Sequence, residues 1–244
     1  MPRARATARV TARRPGPFAP AELTGRSRAH VVEVAEPRCV LHPATAAAFL
    51  RLRRAAARAG FDLAPASSYR DFDTQVRIWN EKWTGRRPLY ARDGTRLDPA
   101  RLTPAERVRA ILIWSAPPGA SRHHWGTDLD VYDRGALPPG GRPELLPEEY
   151  EPGGPFVALA DWLDRHMHRY GFYRPYRTFR GGVSPEPWHL SHWPSAGEAS
   201  RRLRLATLRV AIAAADLEGK AALLKALPDV YRRYVRSIDR PPRR

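Results

Sequence analysis

Two hydrophobic periods run along the chain, and together they predict a mixture of helices and strands. A helical period of apolar positions begins at Pro43 and ends at Gly60. The same spacing predicts further helices over about 73–83, 104–113, 156–170, 196–215 and 217–227, followed by a turn-rich segment over 229–237. Short strand-like segments lie at 30–34, 61–65 and 127–132. Because these elements do not repeat as regular strand–helix–strand units, they predict an α+β domain.

Breaks in this pattern divide the chain into four parts. Gly and Pro are frequent in 84–104 and in 138–155, so we expect both segments to be long loops. Ser195 followed by Glu198 has the spacing of a capping box, which predicts a helix that starts just after Ser195. The predicted parts are a basic, disordered tail over 1–20, one domain over 21–194, a C-terminal helical extension over 195–237 and a basic tail over 238–244.

The charge of the chain is strongly positive and is concentrated near both termini. The formal net charge is +17, and all but three of the 42 basic residues are arginine. This bias, with abundant alanine and proline, is typical of a GC-rich genome, and solvated tails explain it without a partner. Weak binding of a polyanion through the Arg-rich tails stays open. No aromatic residues lie among the N-terminal arginines, so we expect no specific nucleic-acid partner.

Cysteine content and hydropathy exclude several classes of protein. The single cysteine, Cys39, excludes an internal disulfide framework and a cysteine-rich zinc site. No apolar run reaches the roughly 18 to 20 residues that cross a bilayer, so no transmembrane segment is expected. Residues 1–20 carry positive charge without a hydrophobic stretch, unlike a signal peptide. The chain as written is therefore expected in the cytoplasm, or in the periplasm or cell envelope if its true start or export route differs.

Unusual polar residues are concentrated in three separate segments. They are Ser67-Ser68-Tyr69-Arg70 with Gln75, the run from Ser121 to Asp130, and Glu186-Pro187-Trp188-His189. A catalytic zinc site takes three protein ligands and keeps a fourth position open for water. A turn at Gly126 followed by a strand would bring His123 and Asp130 together. His189 can supply the third ligand.

Several neighbouring groups can assist or replace these ligands. Glu186 lies three residues before His189, and Pro187 argues against a helical His-Glu-x-x-His arrangement. Glu186 can still act as the base that takes a proton from water. Asp128 shares a strand face with Asp130, so it is either an alternative ligand or a partner that orients a ligand histidine. The other histidines are interpreted as surface, capping or packing residues (His30, His42, His166, His168), as a neighbour of the site or a surface residue (His124), and as a site-lining, packed or exposed residue (His192).

Taken together, the three segments resemble the zinc D-Ala-D-Ala carboxypeptidases of the VanY type. The pattern Ser-x-His-x-x-Gly-x-x-x-Asp runs from Ser121 to Asp130, and Glu-x-Trp-His runs from Glu186 to His189. Ser68-Tyr69-Arg70 with Gln75 is similar to the family's Ser-x-Tyr-Arg-Ser…Gln segment, although Asp71 stands where the last serine is usual. The resemblance spans about residues 40–193 with the segments in the family order. The wider group includes lysostaphin-type endopeptidases and the hedgehog signalling domain.

The resemblance implies a small antiparallel sheet that carries one zinc ion and is flanked by helices. It implies His123, Asp130 and His189 as ligands and Glu186 as the catalytic base. Arg70 would bind a substrate carboxylate or stabilise the transition state. The other candidate substrate-binding residues are Ser68, Tyr69, Gln75, Ser121 and Trp188.

The implied reaction is hydrolysis of a peptide bond next to a D-amino acid in peptidoglycan or its precursors. A D-alanyl-D-alanine carboxypeptidase acting on a stem peptide or another D-Ala-ended peptide is the leading hypothesis. A peptidoglycan endopeptidase of the same fold is the nearest alternative. A zinc-containing binding module without turnover is a third hypothesis, and the presence of Glu186 argues against it. A basic nucleic-acid binder is the least favoured.

Overall fold

The computed structural model describes residues 18–242 of the 244-residue chain. The helices are α1 (Pro20–Leu23), α2 (Pro43–Arg58), α3 (Phe72–Trp83), α4 (Pro104–Leu112), α5 (Val157–His166), α6 (Trp193–Arg202), α7 (Leu205–Ala213) and α8 (Lys220–Val230). The strands are β1 (Val32–Val34), β2 (Cys39–Leu41), β3 (Leu63–Ser67), β4 (Leu89–Tyr90), β5 (Arg96–Leu97), β6 (Asp128–Asp133), β7 (Phe172–Tyr173) and β8 (His189–His192). Most of the predicted N-terminal tail, residues 1–17, and the last two residues of the C-terminal tail lie outside the described residues.

A four-stranded antiparallel sheet in the order β3-β6-β8-β7 forms the centre of the molecule. Strands β6 and β8 pair Asp128 with Ser191, Leu129 with Leu190, and Asp130 with His189. Because successive side chains point to opposite faces, one apolar pair on one face lies between two polar pairs on the other.

The apolar face of this sheet packs against α2 and α5. Leu129, Val131 and Leu190 are fully buried there beside Phe49 of α2 and Leu163 of α5. Such a layer excludes water and stabilises each strand by about 1.5 to 3 kcal/mol per fully buried large side chain. The polar face of the same strands is thereby held in a fixed register.

The C-terminal helices share a second core with α3 and α4. Trp79 of α3 and Ile111 of α4 are fully buried, and the same cluster contains Leu208 of α7 and Leu227 of α8. The helices that follow residue 195 therefore pack against the elements that flank the polar face of the sheet. Within residues 18–242, no helix is both long and apolar enough to cross a membrane.

The predicted helices are largely confirmed, and the three predicted strands correspond to β1, β3 and β6. Strands β2, β7 and β8 are not among the predicted ones, and two longer segments also differ from expectation. The predicted loop 84–104 contains a hairpin in which Leu89 pairs with Leu97 and Tyr90 with Arg96. Leu89 is buried in the second core, and this tertiary contact stabilises a hairpin too short to be visible as alternation.

The start predicted for the helix near Ser195 is wrong. Helix α6 begins three residues earlier, at Trp193, with Pro194 in its first turn, where a missing N–H costs nothing. Ser195 Oγ lies 3.2 Å from His192 Nδ1 and does not cap the helix. The predicted single helix 196–215 is also interrupted, because Leu203 and Arg204 are extended between α6 and α7.

Candidate metal centre and active-site cleft

The three predicted ligands come together on the polar face of the sheet. His123 lies in a 3-10 turn (Arg122–Trp125), Asp130 on β6, and His189 at the start of β8. One donor atom from each lies within 4.8 Å of the other two, and all three residues are buried. His123 Nε2 is 3.3 Å from Asp130 Oδ2, and His189 Nδ1 is 3.1 Å from Asp130 Oδ1.

The turn that brings His123 toward β6 depends on Gly126. Its φ of 64° lies in the left-handed region, which glycine adopts without strain. A Cβ at this position would lie 2.8 Å from the backbone nitrogen of His42 and 2.4 Å from a methyl of Val31. The predicted turn is therefore present, and its close packing leaves no room for a side chain.

Hydrogen bonds behind the histidines assign their free nitrogens. His123 Nδ1 lies 2.9 Å from the carbonyl oxygen of Ser68, which only accepts, so Nδ1 carries the proton and Nε2 presents its lone pair to Asp130. His189 Nε2 lies 3.1 Å from Asp128 Oδ1, so Nε2 donates and Nδ1 faces the site. These partners orient the two rings as metal ligands require.

The site requires a positive charge where the three donor atoms meet. With its proton on Nε2, His189 opposes the Asp130 carboxylate with a lone pair, and Asp130 Oδ1 is buried without a hydrogen-bond partner among the described residues. Burial lowers the pKa of His189, but its contacts with Asp128, Asp130 and Glu186 raise that pKa well above its usual value. A cation at this point satisfies all three donors, and two nitrogens with one carboxylate oxygen suit zinc.

Asp128 belongs to the layer behind the ligands. Its Oδ1 accepts from Arg122 Nε at 2.6 Å as well as from His189, and its Oδ2 accepts from Thr127 Oγ1 at 2.6 Å. Burial raises the pKa of Asp128, but Arg122 and its hydrogen bonds outweigh this and lower the pKa to about 2. Asp128 is therefore the ionised partner of His189, as one of the two sequence interpretations predicted.

Glu186 lies beside the metal-binding atoms on a turn. Its Oε2 is 3.3 Å from His189 Nδ1, and its side chain is largely buried in the cleft. The His189 N–H donates to the Glu186 carbonyl at 3.1 Å, and the Glu186 N–H donates to the Tyr176 carbonyl at 2.9 Å. Glu186 therefore lies outside any helix, as Pro187 predicted, and these two bonds hold its backbone in place.

Arg70 faces the same cleft and is held by neutral partners. Its guanidinium donates to Gln75 Oε1 at 2.9 Å and to Ser67 Oγ at 3.2 Å. His124 is fully buried, and its Nδ1 donates to the Arg70 carbonyl at 2.7 Å while its Nε2 accepts from the Gly119 N–H at 3.1 Å. His124 thus fixes the backbone of Arg70 and is not a surface residue.

Three of the residues predicted to bind substrate have side chains that point elsewhere. Ser68 Oγ accepts from the Val40 N–H at 3.1 Å, and the Tyr69 hydroxyl donates to the Ser27 carbonyl at 3.2 Å. Gln75 bridges Arg70 and the Ala116 carbonyl. A sequence motif places the backbone of these residues near the site, but it does not show in which direction each side chain points. Ser121 and Trp188, in contrast, line the cleft as predicted.

The other histidines lie outside the metal-binding cluster. His192 follows His189 by three positions on β8 and therefore points to the apolar face, where its ring lies 5.2 Å from that of Phe172. His42 caps α2 by accepting from the Ala44 N–H at 3.3 Å, as a capping role predicted. The side chain of His30 is 5% exposed, and its Nε2 lies 2.9 Å from the carbonyl oxygen of His124, so the ring is not on the surface as expected.

The structure adds residues to the cleft that the sequence did not single out. The cleft has a volume of about 740 Å³, and its additional lining includes Lys82, Arg87, Trp114 and Tyr176. Trp114 stacks on Trp188 with 6.3 Å between ring centroids, and the Tyr176 ring lies 5.0 Å from that of His189. The helical spacing from Gln75 to Lys82 was a usable signal, whereas nothing near Tyr176 in the sequence predicts its position.

The fold and the cleft define a mixed α/β protein with a buried His/Asp/His site and an adjacent carboxylate, a combination typical of metallopeptidases. The sequence pattern of the VanY family, described as D-alanyl-D-alanine carboxypeptidase, matches residues 38–195. The chain belongs to this family. The predicted family membership is confirmed, and the match covers the sheet and every residue of the metal-binding cluster.

Several known proteins are similar to this chain in sequence or in fold. An uncharacterized protein of Haemophilus influenzae is 35% identical over 118 residues, which is 48% of this chain and 90% of the relative. A D-alanyl-D-alanine carboxypeptidase of Enterococcus faecalis is 33% identical over 130 residues, which is 52% of this chain but only 38% of that protein. A solved structure of VanYB in complex with D-alanine-D-alanine is similar with a TM-score of 0.50 at 23% identity, covering 69% of this chain and 80% of that one. The structural likeness confirms the predicted fold class of helices around a small antiparallel sheet.

Proposed function

We propose that the protein is a zinc D-alanyl-D-alanine carboxypeptidase that acts on peptidoglycan or its precursors. One observation carries this proposal. A buried carboxylate, Glu186 Oε2, lies 3.3 Å from the free nitrogen of a ligand-type histidine and is not itself needed to complete the ligand set. A site that only holds a metal has no use for such a group, whereas a hydrolase requires a base there. Family membership supports the D-Ala-D-Ala class of substrate.

His123 Nε2, an Asp130 oxygen and His189 Nδ1 would hold the zinc ion. Zinc bound there would supply Lewis acidity, which acidifies water and polarises a carbonyl group. The protein's own residues do the rest. Asp128 keeps the His189 proton on Nε2, and Ser68 keeps the His123 proton on Nδ1. Each histidine therefore has its other ring nitrogen free to bind the metal.

Glu186 would move the proton in the reaction. As a carboxylate it accepts a proton from the attacking water and then delivers it to the nitrogen of the departing amino acid. The hydrogen bond from its own N–H to the Tyr176 carbonyl holds the Glu186 backbone beside the metal-binding atoms, which favours a reactive arrangement. General acid–base action of this kind contributes about 10²- to 10⁴-fold to rate.

Arg70 would bind negative charge on the substrate. Its guanidinium is held by Gln75 and Ser67, which fix its direction without neutralising it. Burial lowers the pKa of Arg70, and the nearby carboxylates of Asp130 and Glu186 oppose that effect. An arginine held in this way can accept a carboxylate in a bidentate pair or stabilise an oxyanion.

Digestion of defined muropeptides with the zinc-loaded protein tests the proposal. Release of free D-alanine from a pentapeptide stem, identified by mass spectrometry, is the expected result. Cleavage within the stem or a cross-link, without free D-alanine, would instead indicate an endopeptidase. Stoichiometric zinc without any product would indicate a binding module and overturn the enzymatic proposal.

A further inference from the structure

Lys82 is a further basic residue in the lining of the cleft, and it lies on α3, the helix whose Gln75 holds Arg70. Gln75, Ile78 and Lys82 follow one another at intervals of three and four along α3, so they lie on one face of the helix. Ile78 and Lys82 line the cleft, and Gln75 holds Arg70. Trp79 and Trp83, on the adjoining flank of the helix, are buried in the second core. Packing of the tryptophans thus fixes the rotation of α3 that places Lys82 in the lining of the cleft.

Lys82 has no negatively charged partner among residues 18–242. Its Nζ donates to Ser115 Oγ at 2.8 Å, which uses one of its three N–H groups. In the part of the chain that the structure describes, no carboxylate lies within 4.0 Å of Lys82 Nζ or of the Arg70 guanidinium. Arg87, in the same cleft, differs because it pairs with Glu81 at 3.0 Å. Lys82 and Arg70 therefore face the cleft without a counter-ion of their own among the described residues. Within the same residues, Arg92 also lines the cleft without an ion pair, but its guanidinium stacks on the Phe179 ring, 3.4 Å from the ring centroid.

The charges around Lys82 make its buried ammonium unfavourable in free energy unless an anion binds beside it. Burial, with smaller contributions from Arg87 and Arg70, lowers the pKa of Lys82 to about 8, and the Glu186 carboxylate opposes that shift. A buried cation is stabilised chiefly by a paired, hydrogen-bonded anion. Glu186 cannot fill this role permanently if it is to accept a proton. The anion that completes the pair must come from the substrate.

We propose that Lys82 and Arg70 together bind the free C-terminal carboxylate of the substrate, and that Lys82 thereby restricts the enzyme to cleavage at a chain end. This inference rests on the proposed carboxypeptidase function. The two cations complement each other, because arginine offers a planar fork and lysine a compact point charge with rotatable donors. An amide or a continuing peptide at the same position would leave the ammonium unpaired, which penalises internal cleavage.

Paired substrates test this role. The probes are a D-Ala-D-Ala-ended peptide as the free acid and the same peptide as its C-terminal amide. We expect Lys82→Met to lower kcat/KM for the acid by about 10- to 100-fold, mainly through KM, and to change the amide rate by less than about threefold. Lys82→Arg should retain part of the preference for the acid. Lys225→Met, on the exposed side of α8, is the matched control and should behave as wild type.

Ser115→Ala separates binding from a structural role. It removes the hydrogen bond of Lys82 but not its charge, so the ratio of acid to amide rates should stay within about threefold of wild type. If Ser115→Ala reproduces the effect of Lys82→Met, Lys82 acts through Ser115 and the proposal is wrong. An equal fall of both rates in Lys82→Met would also overturn it.

Calorimetric binding separates this proposal from the proposed reaction. In a zinc-loaded Glu186→Gln background, which cannot turn substrate over, the acid should bind at least about tenfold more tightly than the amide, and Lys82→Met should abolish that difference. If the wild type hydrolyses neither peptide but this binding difference is present, the proposed reaction fails and carboxylate recognition by Lys82 stands. Equal binding of acid and amide, or no binding of either, would refute the role of Lys82.

Discussion

The two faces of the central sheet use the same strands for opposite purposes. On one face Leu129 and Leu190 pair across β6 and β8 and pack into a water-free layer against α2 and α5. One residue away on either side, the pairs Asp128–Ser191 and Asp130–His189 carry the charged and metal-binding groups. The polar face contains several buried charges, each of which costs free energy unless it is paired. The apolar face therefore provides the stability that holds the buried charges of the polar face in register.

Replacing the proposed base should give the largest effect, and one confined to the polar face. Glu186→Gln keeps the size of the side chain but cannot accept a proton, so we expect kcat to fall about 10³-fold with zinc content unchanged. Steady-state kinetics with a D-Ala-D-Ala peptide and metal analysis measure the two quantities. Glu33→Gln, on an exposed carboxylate, is the control. Retention of more than a tenth of wild-type kcat in Glu186→Gln would contradict the assigned role.

Truncation on the apolar face should instead cost stability. Leu129→Ala leaves a cavity beneath β6, and we expect the free energy of unfolding to fall by about 2 to 5 kcal/mol. The kcat of the folded fraction should change little, because Asp128 and Asp130 point the other way. Urea denaturation measures the loss, and Val210→Ala, 70% exposed on α7, should stay within about 0.5 kcal/mol of wild type. A loss of activity without a loss of stability would show that the two faces are not separable in this way.

Removing the charge behind His189 should weaken zinc binding by a smaller amount. Asp128→Asn leaves Arg122 without its ion pair and His189 with a weaker acceptor, so we expect zinc affinity to fall about 10- to 100-fold. Competition with a chromogenic chelator measures this affinity. Asp161→Asn, exposed on α5, supplies the control. Unchanged affinity in Asp128→Asn would mean that the ring of His189 is oriented by packing alone.

Lowering the pH should reduce the free energy of unfolding through His192 on the apolar face. This effect should be the smallest of the four expected effects. Burial lowers the pKa of His192 to about 4, with a smaller contribution from His42. The unfolded chain binds a proton near pH 6.5 while the folded chain does not, so stability falls as pH drops from about 6.5 to about 4. Urea titrations measure the free energy of unfolding at pH 7 and at pH 5. We expect its fall between these two values to be about 1 to 2 kcal/mol smaller in His192→Gln than in wild type. Parallel pH profiles for the two proteins would exclude this contribution.

Much of the site was predictable because its residues occur in short, ordered segments. The spacing of His123, Gly126 and Asp130, with Glu186 and His189 later in the chain, indicated a single metal-binding cluster, and the structure brings these residues together. Strand alternation also predicted that Leu129 and Val131 would face a core. Local pattern therefore indicated which residues meet and where most helices lie, together with the strands β1, β3 and β6.

Only the tertiary structure decided which way individual side chains point and what they contact. Ser68 was predicted to bind substrate, but it contributes a backbone carbonyl that orients His123, and its hydroxyl bonds to Val40. The sequence pattern did not predict Lys82 as a site residue, but packing of Trp79 and Trp83 places its side chain in the lining of the cleft. The physical reason is the range of the interactions. Helix and strand periods are set by neighbours a few residues apart, whereas burial, pairing of charges and shifts in pKa depend on groups that only folding brings within a few ångströms.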